Sequence, residues 1–573
     1  MQRDRHGKFS SKRCRHCAVI DIFFEYETSY YYFSVYFQIR KPVFVNLKHR
    51  KEVVSMAYTL GVDIGTTSVK TVLYDTNGKV HGYSNNGYPL YQDTPDMAEE
   101  DPEEIFSAMQ DGITELIRKA NLKPGELKGV ALSCAMHSLI LLDSDYKPLT
   151  RAITWGDNRA VKYADELKAS PQGMEIYQHT GTPIHPMTPL TKLIWLRNDH
   201  PDLFKKARWF VGIKEYILYK LFGTLKEDYS IANATGMFNI YNMDWDNQAL
   251  KLAGVTRDQL PELVDTTYQL KGMHDQYAKV LGIDPDTPFI IGASDGPLAN
   301  LGVNAIQPGV VAVTIGTSGA VRVVTDKPHT DPKARVFCYY LAKNMWVIGG
   351  PVNNGGVVFR WVRDQLCAPE KVTAEQMHID PYDLLTQIAA KIPAGSDGLL
   401  FFPFLGGERA PIWDANARGS FFGLNRTHTR AHMIRAVLEG IVYNLYTVML
   451  ALEEVVGRPT SIQANGGFAR SALWRQMLTD IFEQDVAIPE SFESTALGAA
   501  TLGMYSLGLI DSLTDVSNFV GTTVVHHPDP KNFPAYRELI PIYIRLSRSL
   551  EPEYKNIADY QRRHEHEDDF SGK

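Results

Sequence analysis

Residues 60–75 read LGVDIGTTSVKTVLYD. An apolar run of Leu60, Val62 and Ile64 carries one acid, Asp63, and breaks at Gly65, Thr66, Thr67 and Ser68. A second apolar run follows at once and leaves no room for a helix, so the stretch is expected to form a β-hairpin. Its tight turn offers backbone N–H groups and several hydroxyls, and small residues let an anion such as phosphate come close. A carboxylate beside bound phosphate would repel it unless a cation came between. The stretch is therefore a candidate phosphate turn with a magnesium-organising Asp63. An ordinary hairpin with a solvated acid fits the same residues.

The chain repeats this turn. Residues 313–326 read VTIGTSGAVRVVTD, against VDIGTTSVKTVLYD for 62–75. Without gaps, the Val, Ile, Gly, Thr, a later Val and the final Asp coincide, about half a chain apart. Such a repeat implies two related domains that each bring one phosphate turn to a shared cleft. Thr314 stands where the first copy has Asp63, so only the first half supplies the acid.

At 573 residues the chain exceeds one core, and two domains of roughly 250 residues each fit the repeat. A composition that is 44% hydrophobic and 22% charged belongs to a globular protein. The net charge of −7 hides a basic N-terminal 55 residues, with 11 Lys+Arg against 5 Asp+Glu, so the remainder is strongly acidic. That argues against nucleic-acid binding. No run of about 18 uncharged apolar residues occurs, so no membrane span is expected. The five cysteines (Cys14, Cys17, Cys134, Cys338 and Cys367) are few and scattered, which suits a reducing cytoplasm.

Residues 1–55 differ from the rest: basic, then aromatic-rich, with no sustained period. Asp21 interrupts the one apolar stretch a secretory signal could use. Cys14 and Cys17 could be half a zinc site, but no second half follows at ligand spacing. The folded protein is expected to begin at Met56, with a disordered or mis-assigned start upstream; a metal-binding or targeting arm is the alternative. The first domain is expected over 58–304. An amphipathic helix opens at Asp101-Pro102, and residues 129–133 form a buried strand ending near Met136 and His137. Trp155, Asp157 and Arg159 follow as a polar, aromatic turn. Strand ends facing a cleft are where α/β folds usually bind ligands. Residues 289–294 form another buried strand running into Asp295, an acid whose burial is costly unless it has a partner or a task, and a general base facing the cleft would have one. A second domain is expected over 309–550. In it, the glycine-rich 349–356 segment suits either ligand approach or a tight loop. Residues 433–445 recur at helical spacing as a core helix. Gly466-Gly467, between a strand and a helix, could let a flat ring lie on the backbone. From 551 to 573 a charged, frayed tail is expected.

These segments, in this order, resemble the FGGY carbohydrate kinases, over roughly residues 58–546. MTPLTKLIWLRND (187–199) resembles one family signature except at Asp199. GSFFGL (419–424), continuing through His432 to Glu439, resembles another throughout, and GERAP (407–411) also looks like the family. Within the family AMHSLI (135–140), PLTRAITWGDNRA (148–160), TGTPIHPM (180–187), VGIKEYI (211–217) and IGGPVNNGG (348–356) look closest to the gluconate-phosphorylating members. Xylulose-phosphorylating members usually carry Gly-Gln-Met-His-Gly where this chain has AMHS. The resemblance implies an α/β, two-domain actin-like ATPase fold (RNase H-like, shared with actin and heat-shock chaperones) with a catalytic cleft between the domains.

It also implies ATP and Mg²⁺ as cofactors and phosphorylation of gluconate at its terminal hydroxyl. Asp295 would be the base and Asp63 would organise magnesium through water. Gly65, Thr66, Thr67 and Lys70 on one side, and Gly316, Thr317 and Ser318 on the other, would hold phosphate. Gly466, Gly467 and the helix from Ser471 would hold adenosine. Met136, His137, Trp155, Asp157, Arg159 and Lys214, together with Asp295, would meet the sugar acid; its carboxylate calls for a cation, for which His137, Arg159, Lys192 and Lys214 are candidates. A surface charge is the other reading of Lys192 and Lys214. No nucleic-acid or membrane partner is implied, and a homodimer is compatible with the resemblance. The competing functions are a kinase for xylulose, ribulose or glycerol, and a non-catalytic or chaperone-type ATPase of the same fold. A chaperone would need no base at Asp295, and too few residues follow 546 to form its peptide-binding domain.

Overall fold

The computed structural model describes residues 57–490 and 493–564, plus an antiparallel strand pair, Tyr26–Glu27 and Tyr30–Tyr31. The disordered or mis-assigned start and the Cys14/Cys17 half-site fall outside the described residues.

From Ala57 onward the fold is built on two sheets. The first contains β1 (Tyr58–Ile64), β2 (Ser68–Asp75), β3 (Val80–Gly87), β4 (Leu127–Cys134), β5 (Gln269–Leu270) and β6 (Phe289–Ser294). Its spatial order is β5-β6-β4-β1-β2-β3. The hairpin of residues 60–75 is present, with Asp63 opposite Lys70 in the register. β4 and β6 add in parallel beside β1, and β5 closes the edge antiparallel. α1 (Pro102–Ala120) covers this sheet. Asp101 caps it by accepting from Glu103 N, Pro102 stands in the first turn, and Ile105, Met109, Ile113 and Leu116 make its buried stripe.

The second sheet contains β7 (Val310–Ile315), β8 (Gly319–Thr325), β9 (Phe337–Ala342), β10 (Met345–Val352), β11 (Ser461–Asn465), β12 (Val486–Pro489) and β13 (Thr523–His526), in the order β9-β10-β8-β7-β11-β12-β13. The repeat read in the turn therefore extends to the sheet. In each half an antiparallel hairpin starts the sheet, two later strands add in parallel beside its first strand, and an antiparallel strand ends that edge.

Five further helices position the site: α2 (Pro189–Asp199), α3 (Ile213–Phe222), α4 (Asp295–Gly302), α5 (Arg430–Val456) and α6 (Ala472–Phe482). By composition α5 is long and apolar enough to cross a membrane (mean hydropathy 1.3), but 78% of that window is buried inside the fold, as a core helix requires. α7 (Ser494–Ser506) lies against α4 at glycines. A Cβ at Gly302 would meet Ser494 O at 1.7 Å, and one at Gly498 would meet Leu298 O at 2.0 Å. The main chains of the two helices touch there, which only glycine allows.

The C-terminal segment corrects the expected frayed tail. α8 (Phe533–His564) runs through residue 564 and buries Tyr536, Tyr543, Tyr554 and Ala558. Tyr554 meets Phe404 edge-on at 6.1 Å. The charges of 551–564 occupy the outer face, while an apolar position every three or four residues anchors the inner one. Residues 565–573 lie outside the described residues.

Candidate active site

The first phosphate turn is closed by Gly65 N donating to Ser68 O at 3.1 Å, with Thr66 and Thr67 at its tip. The second is closed by Gly316 N donating to Ser318 O at 2.9 Å. It rests on residues 355–357: Gly356 N donates to Gly316 O and Val357 N to Thr317 O. A Cβ at Gly355 would lie 2.5 Å from Ser318 O. Of the two readings of that glycine-rich segment, the tight loop applies at Gly355, which buttresses the turn.

The second turn separates two cavities. Gly316 and Thr317 face one of about 420 Å³, together with Gly467, Phe468, Ser471 and Trp474. Ser318 and Gly319 face another of about 170 Å³, together with Thr66, Met136, His137, Trp155 and Asp295. Residues from both halves thus line one small chamber, and a second opens across the 316–318 turn. Gly466 has φ 111° and approaches Ile315 O so closely that a Cβ would stand 2.3 Å away. It shapes the junction, while Gly467 lines the larger cavity. Ser471 caps α6 by accepting from Trp474 N.

Asp295 is the first residue of α4, at the end of buried β6, and its Oδ1 accepts from Gly296 N at 2.9 Å. Burial raises its pKa, and the nearby Arg322 opposes that shift. Asp63 accepts from Ser133 Oγ at 2.9 Å. Burial, and then the charge of Asp295, push it up to about 7. Two acids that resist joint ionisation invite a cation between them. Among the described residues no group of three or more His, Cys, Asp or Glu could hold a metal ion. A lone carboxylate such as Asp63 offers a cation one ligand, so a Mg²⁺ there would need its other ligands from phosphate oxygens and water.

His137 takes the left-handed conformation, φ 71°, and its Nδ1 lies 2.6 Å from Ala234 O. That carbonyl can only accept, so Nδ1 carries the proton and Nε2 is left as an acceptor. Burial, then the charge of Lys192, hold the ring's pKa down at about 3. His137 is thus neutral and cannot be the cation expected for a carboxylate. Lys192 is fully buried: its Nζ donates to the carbonyls of His137, Ile153, Thr154 and Met187 at 2.7–3.2 Å. It pins the backbone on which His137 and Trp155 stand. Lys214 is also buried, paired with Asp228 at 2.5 Å and donating to Ile291 O and Ala293 O. Neither lysine is a surface charge, and neither faces the chamber.

Asp157 and Arg159 form a pair behind Trp155. Arg159 also reaches Glu99, and its guanidinium lies 4.7 Å over the Trp195 ring. Asp157, with no exposure, accepts from Ala98 N. Lys70, read as a phosphate ligand, pairs at 2.9 Å with Glu493, the residue preceding α7. Trp155 does reach the chamber. Its Nε1 donates to Thr66 Oγ1 at 2.8 Å, and the Arg409 guanidinium lies 4.7 Å over its ring.

The chamber's cations are two residues the sequence reading left without a role, Arg322 of β8 and Arg409. Phe337 and Tyr339 complete its wall. Arg322 stands in an otherwise apolar, buried strand, the same signal that singled out Asp295.

The family model described as "FGGY family of carbohydrate kinases, N-terminal domain" matches residues 58–302, and its C-terminal counterpart matches 311–507. The chain belongs to the FGGY family of carbohydrate kinases. It has the two-domain fold of the actin-like ATPase sugar kinases and is an ATP-using phosphotransferase. A gluconokinase of Bacillus subtilis (strain 168) is 53% identical over 509 residues, covering 88% of this chain and 98% of that one. A crystal structure of gluconate kinase from Lactobacillus acidophilus superposes with TM-score 0.82 at 41% identity, covering 88% of this chain and all of that chain. A ligand-bound xylulose kinase structure from the same organism gives TM-score 0.82 at 42% identity, with the same coverage. Among FGGY kinases with solved structures, then, fold likeness alone does not separate sugar acid from pentulose.

Proposed function

We propose that this kinase transfers the γ-phosphoryl group of ATP to the terminal hydroxyl of D-gluconate, giving 6-phospho-D-gluconate and ADP. One observation carries the reading: the 316–318 turn stands between the two cavities, with Asp295 and Thr66 on the chamber side. ATP in the larger cavity would present its last phosphate at the turn, and the hydroxyl would approach from the chamber. The Asp295 carboxylate takes the hydroxyl proton as the alkoxide oxygen bonds to phosphorus. The bond to the bridging oxygen breaks, and its electron pair leaves with ADP. Thr66, Thr67, Thr317 and Ser318 would donate to phosphate oxygens, because transfer of this kind depends chiefly on position and charge neutralisation. Mg²⁺, where Asp63 would help hold it, supplies neutralisation of the phosphate charge. His137 Nε2 is an acceptor for a sugar hydroxyl, and Trp155 gives the chamber a flat wall.

The gluconokinase 53% identical over nearly its whole length supports gluconate over a pentulose. The buried free thiols Cys134, Cys338 and Cys367 suit the reducing cytoplasm in which we place the reaction. The test is a ranking of kcat/KM for gluconate, xylulose, ribulose and glycerol. Gluconate should rank first by at least tenfold; any other substrate in first place overturns the assignment.

A further inference from the structure

Arg322 and Arg409 line the same chamber from different segments. Arg322 crosses Gly349, where a Cβ would come within 2.9 Å of its Cγ. Its head lies over Gly296, so a Cβ there would stand 3.5 Å from Nε and 3.8 Å from Cζ. Its Nε and Nη1 are buried without a hydrogen-bond acceptor, and so is Nε of Arg409. The Arg409 guanidinium makes a long hydrogen bond, 3.4 Å from Nη2 to Val352 O. Burying guanidinium donors with nothing to accept from them is costly, and an arriving anion would relieve the cost. The charged groups lining the chamber are Asp295, Arg322 and Arg409, with His137 neutral. Their formal sum of +1 is left over with a neutral polyol and cancelled by a monoanion. Arginine also suits the task, since its planar fork matches a carboxylate where an ammonium offers only a point charge. The other cations considered, Arg159, Lys192 and Lys214, are committed elsewhere.

We propose that Arg322, assisted by Arg409, receives the substrate's carboxylate and makes this active site select sugar acids over neutral sugars and polyols. The inference rests on the sugar-acid reading above, and its test keeps the two apart. The rival roles for Arg322 are steadying the Asp295 carboxylate and neutralising the transferring phosphoryl group. Either would affect every substrate alike.

The experiment compares gluconate with gluconamide, which differs in lacking the negative charge, for the wild type, Arg322→Met and Arg322→Lys. Wild type should favour gluconate by roughly 100-fold in kcat/KM, the scale of a buried charge pair. Arg322→Met should erase most of that preference, chiefly through KM for gluconate; gluconamide should fall as well, since the Asp295 carboxylate loses a neighbouring charge, but at least tenfold less than gluconate does. Arg322→Lys should retain part of the preference, and it carries the comparison if the methionine variant fails to fold. An equal fall for both substrates in the soluble variant, or an unchanged preference, overturns the proposal. If wild type prefers another sugar acid, the gluconate assignment fails while the carboxylate role is tested with that acid and its amide. If wild type does not distinguish acid from amide, the carboxylate role is wrong whichever substrate is used.

Discussion

Asp295 is where the site's chemistry is most exposed to test. Replacing it with Asn keeps the shape and the hydrogen bond from Gly296 but removes the proposed proton acceptor. Asp295→Asn should lower kcat by about 10²–10⁴-fold, the usual worth of a positioned base, while ATP still binds in a titration. Asp63 makes a prediction in pH. Its carboxyl is held up near 7, and the ionised form is the one that can organise a cation, so activity at limiting Mg²⁺ should fall as pH drops through about 7. Raising Mg²⁺ should move that acid limb to lower pH, because cation and proton compete for one carboxylate. An acid limb indifferent to Mg²⁺ would remove Asp63 from the metal's company. Single residues were unevenly legible in the sequence. Asp295 announced itself as an acid at the end of a buried, largely apolar strand. Arg322 sent the same signal but sits in a strand, where every second position can face outward. For Lys192 and Lys214 no local pattern separates a surface charge from an ammonium buried among carbonyls of distant segments.

Among the elements, the hairpins were legible because their turn residues and their repeat agree, and the fold extends that agreement to strand order. The C-terminal helix was not, since its charged outer face resembles a solvated tail until Tyr543, Tyr554 and Ala558 are seen to share one side. The roles of loops depend most on remote partners. Lys192, from α2, gathers the loop carrying His137, the strand end before Trp155 and the turn before its own helix. Lys192→Met should leave several carbonyls unsatisfied and cost about 2–4 kcal/mol of stability, read as a lower Tm. In the variant that remains folded, KM for the sugar acid should rise more than KM for ATP, because the anchored loops belong to the smaller chamber. Equal rises would mean that Lys192 supports the fold without positioning the sugar site.

For the molecule as a whole, two halves of matching strand order meet around the chamber, and at the crossing of α4 and α7 their main chains touch. Gly498→Ala would drive a methyl group into Leu298 O, a backbone atom that no side-chain rotation can move aside. The variant should lose about 1–3 kcal/mol of stability. It should also hydrolyse ATP without sugar faster, relative to its transfer rate, than wild type does, since a wedged cleft admits water. An unchanged ratio would show that the cleft closes independently of this crossing.

Where two main chains rest on each other, there are no rotamers to reshuffle, and sliding would meet an immediate wall. What such a joint does permit is swinging. Gly302 is the fulcrum end of a helix whose other end is Asp295, a lever of about 10 Å at 1.5 Å per residue. A swing about that joint would carry Asp295 with it, and the two cavities on either side of the 316–318 turn would then change width together, as two guests sharing a single door.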